Sequence, residues 1–199
     1  MTRATVLSLM LLLLAACARQ AVYQAEISPA WEAHRQMMEA ITGWKIKGRV
    51  GLYSDNEAWP GDLIWLQTGN SYDIRLIAPV AAGNLHIYSV PNGVMFEHSG
   101  DSQVHFTADP EAMIQQTFGW QLPIADLRYW IKGIPSPESS SKGVMTVDEL
   151  GRLRELAQSG WKISYQNYTT QAGQSMPKKM LLEQADLSIK IFIRNWQFL

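Results

Sequence analysis

The chain has 199 residues, of which 47% are hydrophobic, 10% aromatic and 18% charged, the composition of a globular protein rather than a disordered, collagenous or coiled-coil one. Seventeen Lys and Arg against eighteen Asp and Glu leave a formal charge of -1, which offers no basic groove for a nucleic acid. A single cysteine, Cys17, rules out an intrachain disulfide and any multi-cysteine metal site.

The N-terminus has the anatomy of a secretory signal. Arg3 is followed by Val6 to Ala16, an uncharged run broken only by Ser8. Eleven helical residues span roughly 16 Å, about half of a hydrocarbon core near 30 Å thick, so a permanent transmembrane helix is not expected. The run ends Leu14-Ala15-Ala16-Cys17, which resembles the lipobox of bacterial lipoproteins. That resemblance implies cleavage after residue 16 and a diacylglycerol and N-acyl group on Cys17, the one covalent cofactor expected. By similarity to bacterial lipoprotein sorting, Ala18 directs the product to the outer membrane, where acyl chains worth about 0.8 kcal/mol per buried CH₂ hold it. Residues 17–29 form an acylated, polar tether with a reach of roughly 20 Å, and residues 30–199 form one folded domain.

Ser28-Pro29 reads as an N-cap with proline at the first helical position, and Trp31, His34, Met38 and Ile41 repeat at helical spacing before Gly43. From Trp44 the period falls to two, with Trp44, Ile46, Val50 and Leu52 alternating against Lys45, Lys47, Arg49 and Gly51. Short strands follow at Leu63–Gln67, Tyr72–Ile77, Leu85–Ser89, Gly93–Glu97 and Gln103–Thr107, separated by turn residues such as Thr68-Gly69-Asn70 and Pro91-Asn92. One connection departs from the rule that loops are polar. Ile77-Ala78-Pro79-Val80-Ala81-Ala82-Gly83 carries no charged side chain, so it either meets a membrane or apolar cargo, with Val80 projecting, or folds back on the sheet edge.

Asp109-Pro110-Glu111 opens a second helix through Met113, Ile114 and Phe118 to Gly119, and Pro123 a third through Ile124, Leu127 and Ile131 to Gly133. Strands resume at Val144–Val147, Leu153–Ala157, Trp161–Tyr165, Lys179–Glu183 and Leu187–Ile193. The predicted fold is therefore mostly β (α+β): an antiparallel incomplete β-barrel of ten to eleven strands with three helices over its concave mouth.

Signatures of chemistry are missing from this pattern. Histidines at 34, 86, 98 and 105 lack metal-binding spacing, and neither G-x-S-x-G nor a P-loop is present. Eight tryptophans and nine methionines instead suit an adaptable apolar interior.

The lipobox, the helix running into Trp44-Lys45-Ile46-Lys47-Gly48-Arg49, the Pro-containing apolar loop and the segment Leu127-Arg128-Tyr129-Trp130-Ile131-Lys132-Gly133-Ile134-Pro135 together resemble the LolB family. The likeness covers nearly the whole chain beyond the signal. It implies a non-enzymatic, monomeric receptor that takes acylated lipoproteins from the periplasmic carrier LolA and passes their acyl chains through an apolar cavity into outer-membrane lipid. In that family an exposed leucine in the loop aids insertion. Here Val80, beside Pro79 and Ile77, takes the position with one methylene fewer, worth about 0.8 kcal/mol in lipid. Acyl-cavity candidates on the cleanest strands are Trp44, Ile46, Val50, Ile74, Leu76, Ile87, Ile189 and Ile191, joined by Trp31, Met38, Ile114 and Ile131 from the helices. Two other functions fit the same anchor: a scaffold with a filled interior, and an envelope lipid hydrolase with a nucleophile and base at the cavity mouth.

Overall fold

The computed structural model describes residues 28–54, 58–79, 83–139 and 143–199; Cys17 and Val80 lie outside these. Helix α1, Pro29–Ala40, starts where the sequence places it. The Ser28 hydroxyl accepts the Trp31 amide at 3.1 Å, and Pro29 supplies a preset φ where no amide donor is needed. Pro29, the last residue of the expected tether, is thus already helical. Trp31, His34 and Met38 form the buried stripe of α1.

Six strands follow: β1 Gly43–Tyr53, β2 Ala58–Thr68, β3 Ser71–Ile77, β4 Leu85–Val90, β5 Gly93–His98 and β6 Val104–Thr107. Two helices then intervene, α2 Pro110–Phe118 and α3 Ile124–Trp130, before β7 Val144–Val147, β8 Leu153–Gln158, β9 Trp161–Gln171, β10 Gln174–Gln184 and β11 Leu187–Phe198. Asp109 caps α2 through the Ala112 amide at 3.0 Å, and Gly119 closes it in the left-handed conformation.

All eleven strands lie in one antiparallel sheet, ordered β6-β5-β4-β3-β2-β1-β11-β10-β9-β8-β7. The order is two meanders joined where the first and last strands meet. β1 and β11 pair in register from Trp44↔Phe198 to Tyr53↔Ser188, with a bulge at Lys47/Gly48. A Cβ on Gly48 would lie 2.2 Å from the Phe192 carbonyl oxygen, so only glycine lets the strands approach there. β6 and β7 leave the sheet unclosed, as expected of an incomplete barrel.

Alternation along the strands sends one set of side chains to a single apolar face and the other to solvent. Trp44 anchors the middle of the apolar face, 5.2 Å from the Trp65 ring and 5.5 Å from Trp196. The helices lie on the same face: Met38, Ile114, Trp130 and Ile131 belong to the same buried cluster as the strand residues. Rings packed at these distances contribute on the order of 1 kcal/mol each beyond their area burial.

Candidate functional site

The twelve interior candidates all fall on the apolar face. Trp31, Met38, Trp44, Ile46, Val50, Ile74, Leu76, Ile87, Ile114, Ile131, Ile189 and Ile191 are each at most 9% exposed and belong to one continuous cluster. Register explains the continuity. Val50 pairs with Ile191, Leu52 with Ile189, Leu63 with Leu76 and Ile74 with Ile87, so same-side apolar rows cross the sheet without interruption. The wall is apolar wherever α1, α2 and α3 cover it.

The helices are fastened to the wall by polar bonds at few points. Lys132, just past α3, is buried, and its ammonium donates to the carbonyls of Met38 at 2.8 Å and Ile41 at 3.0 Å, at the C-terminus of α1. Burial pushes its pKa down to about 8, against the pull of the Glu39 carboxylate. The Tyr165 hydroxyl donates to the Trp130 carbonyl at 2.9 Å, and the Trp130 indole donates to Gln158 at 2.8 Å. Ser159 donates to buried Asp126 in the first turn of α3 at 2.8 Å, a bond that seats this helix on the β8–β9 turn. Burial lowers the His34 pKa, which keeps the imidazole neutral beneath α1.

At one end of the sheet the β3–β4 loop stands beside the β5–β6 turn. Its stems are pinned: the Ala78 amide donates to the Asn84 side-chain oxygen at 3.1 Å, and the Asn84 amide donates to the Ser99 hydroxyl at 2.7 Å. Gly83 turns the chain at φ 77°, where a Cβ would lie 2.9 Å from that hydroxyl. Ile77 and Pro79 nonetheless remain exposed, Ile77 by 41%, so this stem does not fold back on the sheet.

Near this loop the end of α2 builds an aromatic rim. Phe118 stacks on Trp120 with ring centres 4.8 Å apart, and His98 meets Phe118 edge-on at 5.2 Å. Phe118 and Trp120, with Ser54, Gln184, Asp186 and Leu187, line an open hollow of about 580 Å³. Sequence reasoning placed Phe118 on a helix but missed this rim, because the Phe118-Gly119-Trp120 spacing stacks the two rings only once Gly119 adopts φ 74°. It also missed Lys132, whose local pattern is that of an ordinary solvent-facing helix lysine. Among the described residues, no group of three or more His, Cys, Asp or Glu could hold a metal ion, and no helix is long and apolar enough to cross a membrane.

A family model described as outer membrane lipoprotein LolB matches residues 42–196. A protein of Pseudomonas putida strain F1 named outer-membrane lipoprotein LolB is 36% identical over 192 residues, covering 94% of this chain and 92% of that one. One of the same name from Stutzerimonas stutzeri strain A1501 is 36% identical over 94% of this chain and 91% of its own. Among solved structures, a LolA superfamily protein from Nitrosomonas europaea aligns with a TM-score of 0.56 at 10% identity, over 85% of this chain and 92% of that one. A putative outer membrane lipoprotein-sorting protein domain from Vibrio parahaemolyticus aligns with a TM-score of 0.57 at 12% identity, over 84% and 90%. At these identities the two structures speak to the fold alone.

Proposed function

The chain belongs to the LolB family of outer-membrane lipoproteins, and from that premise we propose that it receives acylated lipoproteins from the soluble carrier LolA, as a monomer, and inserts them into the membrane that holds its own lipid on Cys17. The observation that carries this reading is the apolar wall of the open sheet, covered by three helices and bordered at one end by an aromatic rim and an exposed apolar loop. Acyl chains are costly to expose to water, so a receptor must keep them enclosed between donor and bilayer.

The helices supply the enclosure. They rest on the wall through side-chain packing and a few hydrogen bonds, so lifting them opens apolar surface without breaking a strand ladder. Cargo then replaces helix contacts with acyl contacts of similar energy, and direction follows from relative affinity, the receptor binding more tightly than the carrier and the bilayer more tightly still. No nucleotide is required. Ile77 and Pro79, together with Val80, enter the bilayer surface and bring the rim to the lipid.

The test uses residues 17–199 with Cys17→Ala, which withholds the anchor, mixed with LolA carrying a labelled lipoprotein. Cargo should move to this chain, and Val80→Glu should slow its subsequent uptake by vesicles without slowing the first transfer. Cargo that stays on the carrier under all conditions would sink the receptor reading and leave a scaffold.

A further inference from the structure

The outward face of the sheet carries a second feature that cargo enclosure does not use. One cross-strand row runs Lys179, Phe192, Arg49, Asp62, Ile77 across β10, β11, β1, β2 and β3, and all five residues are exposed. The next row places Lys190 opposite Gly51 and Gly51 opposite Pro60. With no side chain at Gly51, a hollow of about 600 Å³ opens between the rows, and its wall includes Ile77, Ala78 and Pro79 of the β3–β4 loop. Tyr53 bends back across Gly51, where a Cβ would lie 2.7 Å from its ring.

Charge in the hollow is one-sided. Arg49, Lys179 and Lys190 line it, although the whole chain has a formal charge of -1. The carboxylate there, Asp62, is already engaged by Arg194 at 2.6 Å. Two of the exposed rings carry ammonium groups above them: Lys190 lies 4.8 Å from the Tyr53 ring centre, and Lys178 5.8 Å from that of Phe192. Exposed aromatic and aliphatic side chains interleaved with lysine and arginine are the composition of a surface that sits at the headgroup level of a bilayer.

We propose that this hollow seats the phosphate headgroup of an anionic phospholipid in the membrane that the β3–β4 loop enters. The proposal rests on the reading of that loop as membrane-inserting, since Ile77 to Pro79 are shared by both. Lys179, Lys190 and Arg49 take the phosphate, and Phe192, Tyr53 and Ile77 lie among the first acyl carbons. The domain is thereby tilted toward its β1–β11 side, which fixes the direction the rim faces.

The test is co-sedimentation of residues 17–199 carrying Cys17→Ala with vesicles of phosphatidylethanolamine alone or with 30% phosphatidylglycerol. Binding should be stronger on phosphatidylglycerol and weaken with salt. The double variant Lys179→Gln/Lys190→Gln should lose about tenfold on phosphatidylglycerol vesicles and nothing on neutral ones, with unchanged thermal melting because both positions are exposed. Val80→Glu should weaken binding to both. Equal binding of chain and double variant on phosphatidylglycerol overturns the proposal. So does a double variant that binds vesicles normally but accepts cargo from LolA more slowly, which would make this face a protein-docking surface. Transfer of cargo from LolA by the wild-type chain is scored separately: if it succeeds while phosphatidylglycerol has no effect, only the headgroup site fails.

Discussion

Lys132 lies 94 residues from Met38 in sequence, yet its ammonium donates to the Met38 carbonyl at 2.8 Å inside the protein. The end of one covering helix is thus capped by the residue that follows another. Two covers become one, because α1 cannot leave the sheet without α3 yielding this bond and the one to Ile41.

Lys132→Met should cost about 1–3 kcal/mol at pH 7, since it uncaps carbonyls at the end of α1. The difference depends on pH with a definite sign. The folded pKa of about 8 lies below that of an unfolded lysine, so between roughly pH 8 and 10.5 the unfolded chain holds more protons and the wild type gains stability as pH rises. Urea titrations of both proteins at pH 7 and 9.5 should show the gap widening at the higher pH. A constant gap would mean the ammonium is not desolvated as described.

Gly69 and Gly151 both hold positive φ, at 57° and 73°, but in different surroundings. A Cβ on Gly69 meets nothing within 4 Å, whereas one on Gly151 would lie 2.3 Å from the Ala30 carbonyl carbon in the first turn of α1. Gly69→Ala should therefore cost about 1 kcal/mol of backbone strain, and Gly151→Ala clearly more because α1 must shift. Thermal denaturation of the pair separates the two costs; equal shifts would show that α1 gives way freely.

Removing the Asp109 cap by Asp109→Ala should cost about 1 kcal/mol, concentrated in α2. Amide exchange should speed up at Ala112 and its neighbours and leave β1 and β11 unchanged. Acceleration throughout the sheet would place α2 in the cooperative core instead.

Phe118→Ser removes one ring of the stack with Trp120. Transfer of a labelled lipoprotein from the carrier should slow several-fold, while equilibrium stability falls by no more than about 2 kcal/mol because Phe118 is only partly buried. Unchanged transfer would show that cargo enters elsewhere.

Elements with one clean apolar face were legible in the sequence, and strand ends were not. Leu187, Ile189, Ile191 and Ile193 announced β11, yet the strand runs on to Phe198, because Asn195 and Gln197 interrupt the apolar signal while the ladder to β1 continues. β2 begins at Ala58 rather than Leu63, since Pro60-Gly61 has turn composition but pairs with Val50 and Gly51. β10 passes through Pro177 at an irregular register, where the Pro177 carbonyl accepts the Trp196 indole at 2.9 Å. Backbone pairing across distant strands carries these extensions, and periodicity within one strand cannot report it. The interior wall was legible residue by residue because alternation fixes which side chains share a face. The Lys132 clamp and the hollow over Gly51 were not, since each depends on which strands or helices become neighbours.

The meeting of β1 with β11 at the centre of the sheet has a kinetic consequence. The strands that complete the middle come from opposite ends of the chain, with Gly43 and Leu199 joined by a backbone bond of 3.1 Å. Until the final dozen residues are available, only two separate meanders can form, each with an open apolar flank. Closure of so long a loop is slow, and folding cannot finish while the chain is still emerging from a ribosome or a translocation pore. The same topology that places Trp44 against Trp196 therefore postpones the native state until synthesis and passage are complete.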